Sequence, residues 1–376
     1  MENKKFTPEE RLNAVMRLER ADRIPCAPLI QNYAARYAGI SNYEYYFDYT
    51  KAFNALEMLK NAYPVWDVRR SLYDSYYGPL QKKAGLLKNK IPGVDLPENY
   101  EYQFVESEVM KRRDYSLLIK KGFEAYGAEF FKRVHGATKK EIKQAKEERL
   151  QIRLIEIEDA KRCGQVALYG GGFTFATDRI SLMRSYCEFI RDVRQIPDVL
   201  EEAVSIITDF NIREVKETIK QTGIPRVMVG IARMCGQYFS LAFFERFVWP
   251  FLKRYINAFL DEGITPFLHL DGDWSLNMPY FSELPKEKIV LELDGCTDIF
   301  MVKREFGDRF CLLGDVPATL FTVGTSEKVA QYCARLVEEV GREGGFILGS
   351  GCALPYQAEH SNVEAFFNSL SGRGCE

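Results

Sequence analysis

The chain has 376 residues, 46% hydrophobic and 28% charged, with 51 basic against 53 acidic side chains and a net charge of −2. A globular chain of that size buries a large core without disulfides or a structural metal, so any metal it holds serves chemistry rather than folding. The charge balance argues against nucleic acid as the main partner, and no run of about 18 apolar residues exists to span a membrane.

Nine cysteines, an odd count with no Cys-x-x-Cys pair, argue against a disulfide framework and for a reducing, cytoplasmic setting. The first residues, Met1 to Leu12, hold no apolar core for a signal peptide.

In chain order, Thr7-Pro8-Glu9-Glu10 opens a helix whose buried face is Leu12, Val15, Met16 and Leu18. Ile24 to Ile30 reads as a first strand despite Pro25 and Pro28. Residues 33 to 63 are tyrosine-rich and helical, and Val65 to Val68 is a second strand. Residues from about 80 to 160 read as an insertion with flanking helices that covers the mouth of the fold. Its basic run, Lys139 to Arg153, alternates with Glu141, Glu147 and Glu148 and reads as a solvated helix face.

Beyond residue 160 the rhythm is regular. Val166 to Tyr169 is a third strand, and Gly170-Gly171-Gly172 is either a tight turn into a helix or a place where a ligand approaches the backbone. A helix over 196–221 carries Leu200, Ala203, Val204 and Ile207 on one face. The strand Val227 to Ile231 leads to a helix through Phe244, Phe247 and Trp249. Four more apolar runs follow: Pro266 to Leu270, Ile289 to Leu293, Phe310 to Leu313 and Phe346 to Leu348. The helix between the last two is capped by Thr325 or Ser326, striped by Val329, Cys333, Leu336 and Val340, and stopped by Gly341.

Eight strands alternating with helices predict an α/β (β/α)8 TIM barrel, one domain over 1–376, with an N-terminal helical extension and the inserted helical segment. A doubly wound open sheet is disfavoured, because no glycine-rich phosphate fingerprint follows the first strand.

His269 and Asp271 share parity at a strand end, and Cys352 follows the last strand in Gly349-Ser350-Gly351-Cys352. Singly, each reads as a core histidine, a loop acid or a small buried thiol. Together at a barrel mouth, an imidazole, a carboxylate and a thiolate suit zinc with one position open. Glu292, on the next strand, is a possible fourth ligand or a carboxylate that orients the imidazole. Asp294 is a candidate substrate contact, although Asp294-Gly295 is also an ordinary turn. Arg36 and Arg233 are candidate anchors for an anionic group or partners of neighbouring acids. The tyrosines from Tyr33 to Tyr49 line a pocket or form a packed helical cap. His135 and His360 receive no role.

Several segments resemble the uroporphyrinogen decarboxylase superfamily: Asp22-Arg23-Ile24-Pro25 with Ala35-Arg36-Tyr37, Gly314 to Pro317, and above all Gly345 to Cys352. The resemblance implies a TIM barrel and two possible activities. Its decarboxylases work without a cofactor and hold a porphyrinogen with an arginine-rich loop after strand one. Here that loop keeps Arg36 but has Asn32 where a second arginine is expected. Its cobalamin-dependent methyltransferases carry a His-x-Cys…Cys zinc motif, matched here by His269 and Cys352, with Asp271 in place of a cysteine. This branch implies zinc and a small-molecule methyl donor or acceptor, such as an O-methyl compound. It also implies a corrinoid on a separate partner protein, since no Asp-x-His-x-x-Gly motif occurs here. The competing expectations are a cofactor-free decarboxylase and a non-catalytic corrinoid- or tetrapyrrole-binding barrel.

Overall fold

A computed structural model describes residues 5–70, 78–85 and 87–371. Ten strands lie among them: β1 (Val68–Arg69), β2 (Lys88–Lys90), β3 (Gln103–Val105), β4 (Val166–Ala167), β5 (Gly171–Thr174), β6 (Arg226–Ile231), β7 (Thr265–Leu270), β8 (Val290–Leu293), β9 (Cys311–Val316) and β10 (Phe346–Ser350). Six run side by side in the order β10-β9-β8-β7-β6-β5, all parallel. β1 pairs in parallel with β4, and β2 with β3 makes an antiparallel hairpin.

Single contacts close the ring. Cys26 bridges Trp66, just before β1, on one side and Leu348 of β10 on the other. The Leu168 N–H reaches Arg69 O at 2.9 Å, and the Gly170 N–H reaches Arg226 O at 2.8 Å. β4 and β5 are therefore two halves of one bent stave, and eight staves complete the (β/α)8 barrel.

The sequence misjudged the elements on this side. The expected first strand is reduced to the bridge at Cys26, because Pro25 and Pro28 have no N–H to give to a ladder. The glycine run is not a turn into a helix. Gly171 and Gly172 pair in register with Val227 and Met228, and the helix starts only at Ala176. A Cβ on Gly170 would fall 2.1 Å from Ile224 O, so a glycine is needed where the bent stave passes flush against a neighbouring backbone. β9 also runs three residues past its expected end, through Val316.

Two apolar layers hold the barrel. Ala27, Val68, Leu168, Phe267, Val290, Leu313 and Ile347 fill its interior. Leu268, Leu291, Leu312 and Leu348 face the other way, into a larger layer shared with the helices. Full burial of such a side chain is worth roughly 1.5–3 kcal/mol. Along β7 the alternation sets Phe267 inward and Leu268 outward, which returns His269 to the inside.

The N-terminal helix Pro8–Met16 has a complete capping box between Thr7 and Glu10. Its Arg11 is buried and reaches Asp22 and Asp67. The inserted region consists of the helix Gly78–Ala84, the β2–β3 hairpin and two long helices, Asp114–His135 and Lys139–Arg162. The second long helix is not solvated all along its expected face. Arg153 is buried and bonds to Glu156 and to Tyr169 O, and Asp159 receives Arg69 at 2.6 Å. The insertion reaches the loops that follow the strands at two acids: Glu101 accepts the Tyr356 N–H at 2.6 Å, and Glu106 accepts Arg233 at 3.1 Å. Among the described residues, no helix is long and apolar enough to cross a membrane.

Candidate metal centre

The ladder aligns Gly230 of β6, His269 of β7 and Glu292 of β8. Glu292 is 2% exposed, and its Oε2 accepts a hydrogen bond from His269 Nδ1 at 2.7 Å. With Nδ1 donating, Nε2 is the nitrogen left to face the mouth, where it lies 3.2 Å from Asp271 Oδ1. The same Glu292 oxygen accepts Arg70 Nη2 at 3.3 Å. Burial raises the Glu292 carboxyl pKa, while Arg70 pulls it down.

Asp271 sits just past β7 in a firmly held turn. Its N–H reaches Ile231 O at 3.1 Å, and its carbonyl accepts the Trp274 indole N–H at 3.0 Å. Gly272 follows with φ +85°, a left-handed conformation that favours glycine, and a Cβ there would also meet Cys235 Sγ at 3.0 Å. Asp294 fastens this turn from β8 by accepting the Gly272 and Cys296 N–H groups, each at 2.8 Å. Thr297 adds a bond to Gly272 O at 3.0 Å.

Cys352 is exposed in the turn after β10. Gly351 brings that turn close: a Cβ would stand 2.4 Å from Asp294 O, so any larger residue would push Cys352 away from the β7 side. The result is one cluster, in which donor atoms of His269, Asp271 and Cys352 all lie within 4.8 Å of one another. Burial alone would lower the imidazole pKa, but Asp271 and Cys352 outweigh it and raise His269 to about 10. Asp271 and Cys352 therefore favour positive charge on the imidazole. The set of one nitrogen, one oxygen and one sulfur, with an oriented imidazole and one exposed side, fits a zinc ion with an open position.

The structure sorts the other candidates. Glu292 is held on His269 Nδ1, in the orienting position rather than in the three-residue cluster. Asp294 staples the β7 turn. Arg233 bonds to Glu106. Arg36 lies on the helix Tyr33–Ala38, not in a loop, and donates to Tyr356 O and Ala358 O at 3.2 and 3.0 Å. Tyr33 is buried with its hydroxyl on His360 Nδ1 at 2.9 Å; with buried Tyr45 and Tyr46 it belongs to a packed helical cap. All four expected substrate contacts are thus engaged within the protein.

Sequence reading missed Arg70, whose only signal was a pair of arginines closing an apolar strand. It also missed Cys296, whose thiol is raised to about 11 by burial and by Asp294, with Asp271 adding to the effect.

Comparison with known proteins agrees with the fold. No curated protein matches the chain significantly. Among solved structures, a methyltransferase from Methanosarcina mazei is similar, with 16% identity and a TM-score of 0.71 over 98% of this chain and 99% of that one. The family profile described as uroporphyrinogen decarboxylase (URO-D) matches residues 131–372, more than half of the chain. The chain belongs to the uroporphyrinogen decarboxylase family.

Proposed function

We propose that this protein is a zinc-dependent methyltransferase that moves a methyl group between a heteroatom-bound donor and a corrinoid carried by a separate protein. The observation that carries the reading is the convergence of His269, Asp271 and Cys352, with Glu292 fixing the imidazole. The structural likeness to a methyltransferase supports it at the level of the fold. Arg36 supports it from the other side: its guanidinium is committed to backbone carbonyls, so it offers little to a polycarboxylate porphyrinogen.

On this reading His269 Nε2, Asp271 and Cys352 Sγ hold the metal, and the donor enters on the exposed side by Cys352. Zinc, when bound there, supplies a Lewis acid that stabilises negative charge on the departing heteroatom. Asp271 sets how strong that acid is. A carboxylate in place of a thiolate gives up less charge to the metal, which suits an oxygen leaving group better than a thiol. Glu292 keeps the Nδ1 proton on His269, so that Nε2 stays directed at the mouth. Trp274, Asp294 and Thr297 hold the Asp271 turn in place.

The test mixes zinc-loaded protein with a reduced corrinoid protein and a panel of O-, N- and S-methyl compounds, and follows methylation from the corrinoid absorption spectrum. Transfer from an O-methyl compound, lost in His269→Ala, is expected. Failure of every donor with zinc bound would sink the reading.

A further inference from the structure

Arg70 directly follows β1 and is 3% exposed. Its neighbour Arg69 takes the opposite face and reaches Asp159 and Gln165 on the outer wall. Arg70 instead turns into the barrel and touches three other staves. Nη1 donates to Ser350 O at 2.8 Å and approaches Ala27 O at 3.4 Å, while Nη2 donates to Glu292 Oε2 at 3.3 Å. Gly349 makes room for it: a Cβ there would lie 3.1 Å from Nη1 and 2.9 Å from Ala27 O.

The two firmest of these contacts lead to different arms of the metal centre. Glu292 Oε2 is the same oxygen that holds His269 Nδ1. Ser350 lies two residues before Cys352, and its hydroxyl accepts the Leu29 N–H at 3.0 Å, which ties the same turn to the first stave. One planar guanidinium therefore braces both the imidazole arm and the thiol arm.

As a stabilising device the arrangement is poor. Arg70 Nε and Glu292 Oε1 are both buried without a hydrogen-bond partner among the described residues. A buried ion pair recovers its lost hydration only when the remaining donors and acceptors are satisfied, and apolar replacements are often neutral or better. A position that is costly for folding, directly behind a ligand histidine, is where a functional constraint is expected.

We propose that Arg70 is a positioning residue for the metal centre, holding His269 through Glu292 and the Cys352 turn through the Ser350 carbonyl. The inference rests on the zinc reading above and adds a residue to it. Arginine suits the task because its rigid fork presents several donors in one plane. Lysine, a point charge on a flexible stem, cannot serve Glu292 and Ser350 with the same geometry.

The experiment titrates zinc against a chromophoric chelator, and cobalt(II) by absorption, in the wild type, Arg70→Gln, Arg70→Lys and Glu292→Gln, with circular dichroism to check folding. Zinc affinity should fall about 10–100-fold in Arg70→Gln, the usual range for losing a group that orients a ligand. Arg70→Lys should recover only part of it. The thiolate-to-cobalt charge-transfer band should shift or weaken in Arg70→Gln, because the Cys352 arm is disturbed as well as the His269 arm. Folded Arg70→Gln with wild-type affinity and an unchanged band would overturn the inference and leave the zinc reading intact. A wild type that takes up neither metal would overturn both. If Arg70→Gln does not fold, wild-type affinity in both Arg70→Lys and Glu292→Gln overturns it equally.

Discussion

From β5 round to β10 the barrel is a continuous parallel sheet, whereas from Cys26 to β4 it is held by single bridges and a two-residue ladder. The residues of the candidate metal centre stand on the continuous side: His269 on β7, Glu292 on β8, and Asp271 and Cys352 in the turns after β7 and β10. Among the described residues, the discontinuous side sends Arg70 across the interior to Ser350 and Glu292. Regular staves thus set the donor positions, and the irregular ones supply bracing from behind.

The sharpest way to break that comparison is to remove the same side chain from each side. Leu291 on β8 and Leu168 between β4 and β5 are both fully buried. Truncation to alanine should cost about 2–5 kcal/mol in each, near the top of the range for Leu291 and near the bottom for Leu168, whose stave can close on the cavity. Urea unfolding reads the difference, and equal costs would mean that the two sides are equally rigid. Next, Gly170→Ala should cost about 1–3 kcal/mol through its clash with the Ile224 carbonyl. A neutral effect would show that the bend has slack.

A third test uses buried acids. On the discontinuous side Asp67 is flanked by Arg11 at 2.8 Å and Arg23 at 2.5 Å. On the continuous side no cation among the described residues pairs with Asp315: burial lifts its pKa from 3.8 to about 7, against the opposing hydrogen bond from Tyr332. The folded state therefore holds the Asp315 proton more tightly than the unfolded chain. Its contribution is full below about pH 4 and is lost as pH rises through 7. Asp315→Asn should flatten that part of the stability–pH curve, as measured by unfolding midpoints between pH 4 and pH 8. A curve parallel to wild type would contradict the assignment.

The smallest expected effect is at Asp271→Cys, which should retain zinc, strengthen the thiolate-to-cobalt band and slow transfer from oxygen donors. Faster transfer from oxygen donors would reverse the argument about charge on the metal.

The same division explains what the sequence revealed. His269, Asp271 and Cys352 were legible because strand parity and the end of a regular stave place them, and that logic holds wherever ladders are continuous. Prolines 25 and 28 and the glycine run sit where the ladder breaks, and there local pattern does not say which backbone comes close. Gly170 is explained by Ile224, more than fifty positions later in the chain. Arg70 was hidden for the same reason. Its partners, Ala27, Glu292 and Ser350, lie on three other staves, and nothing local distinguishes it from Arg69. Tyr33, Arg36, Arg233 and Asp294 are each engaged within the protein, because an arginine, tyrosine or aspartate near the strand ends is as readily used to fasten neighbouring segments as to bind a ligand.

Whether His269, Asp271 and Cys352 hold a catalytic zinc is decided by metal analysis of the purified protein. Close to one zinc per chain is expected after growth with zinc. In His269→Ala and Cys352→Ala that zinc should be lost while circular dichroism stays that of the wild type. A metal-free wild type, or alanine variants that keep their zinc, would contradict it.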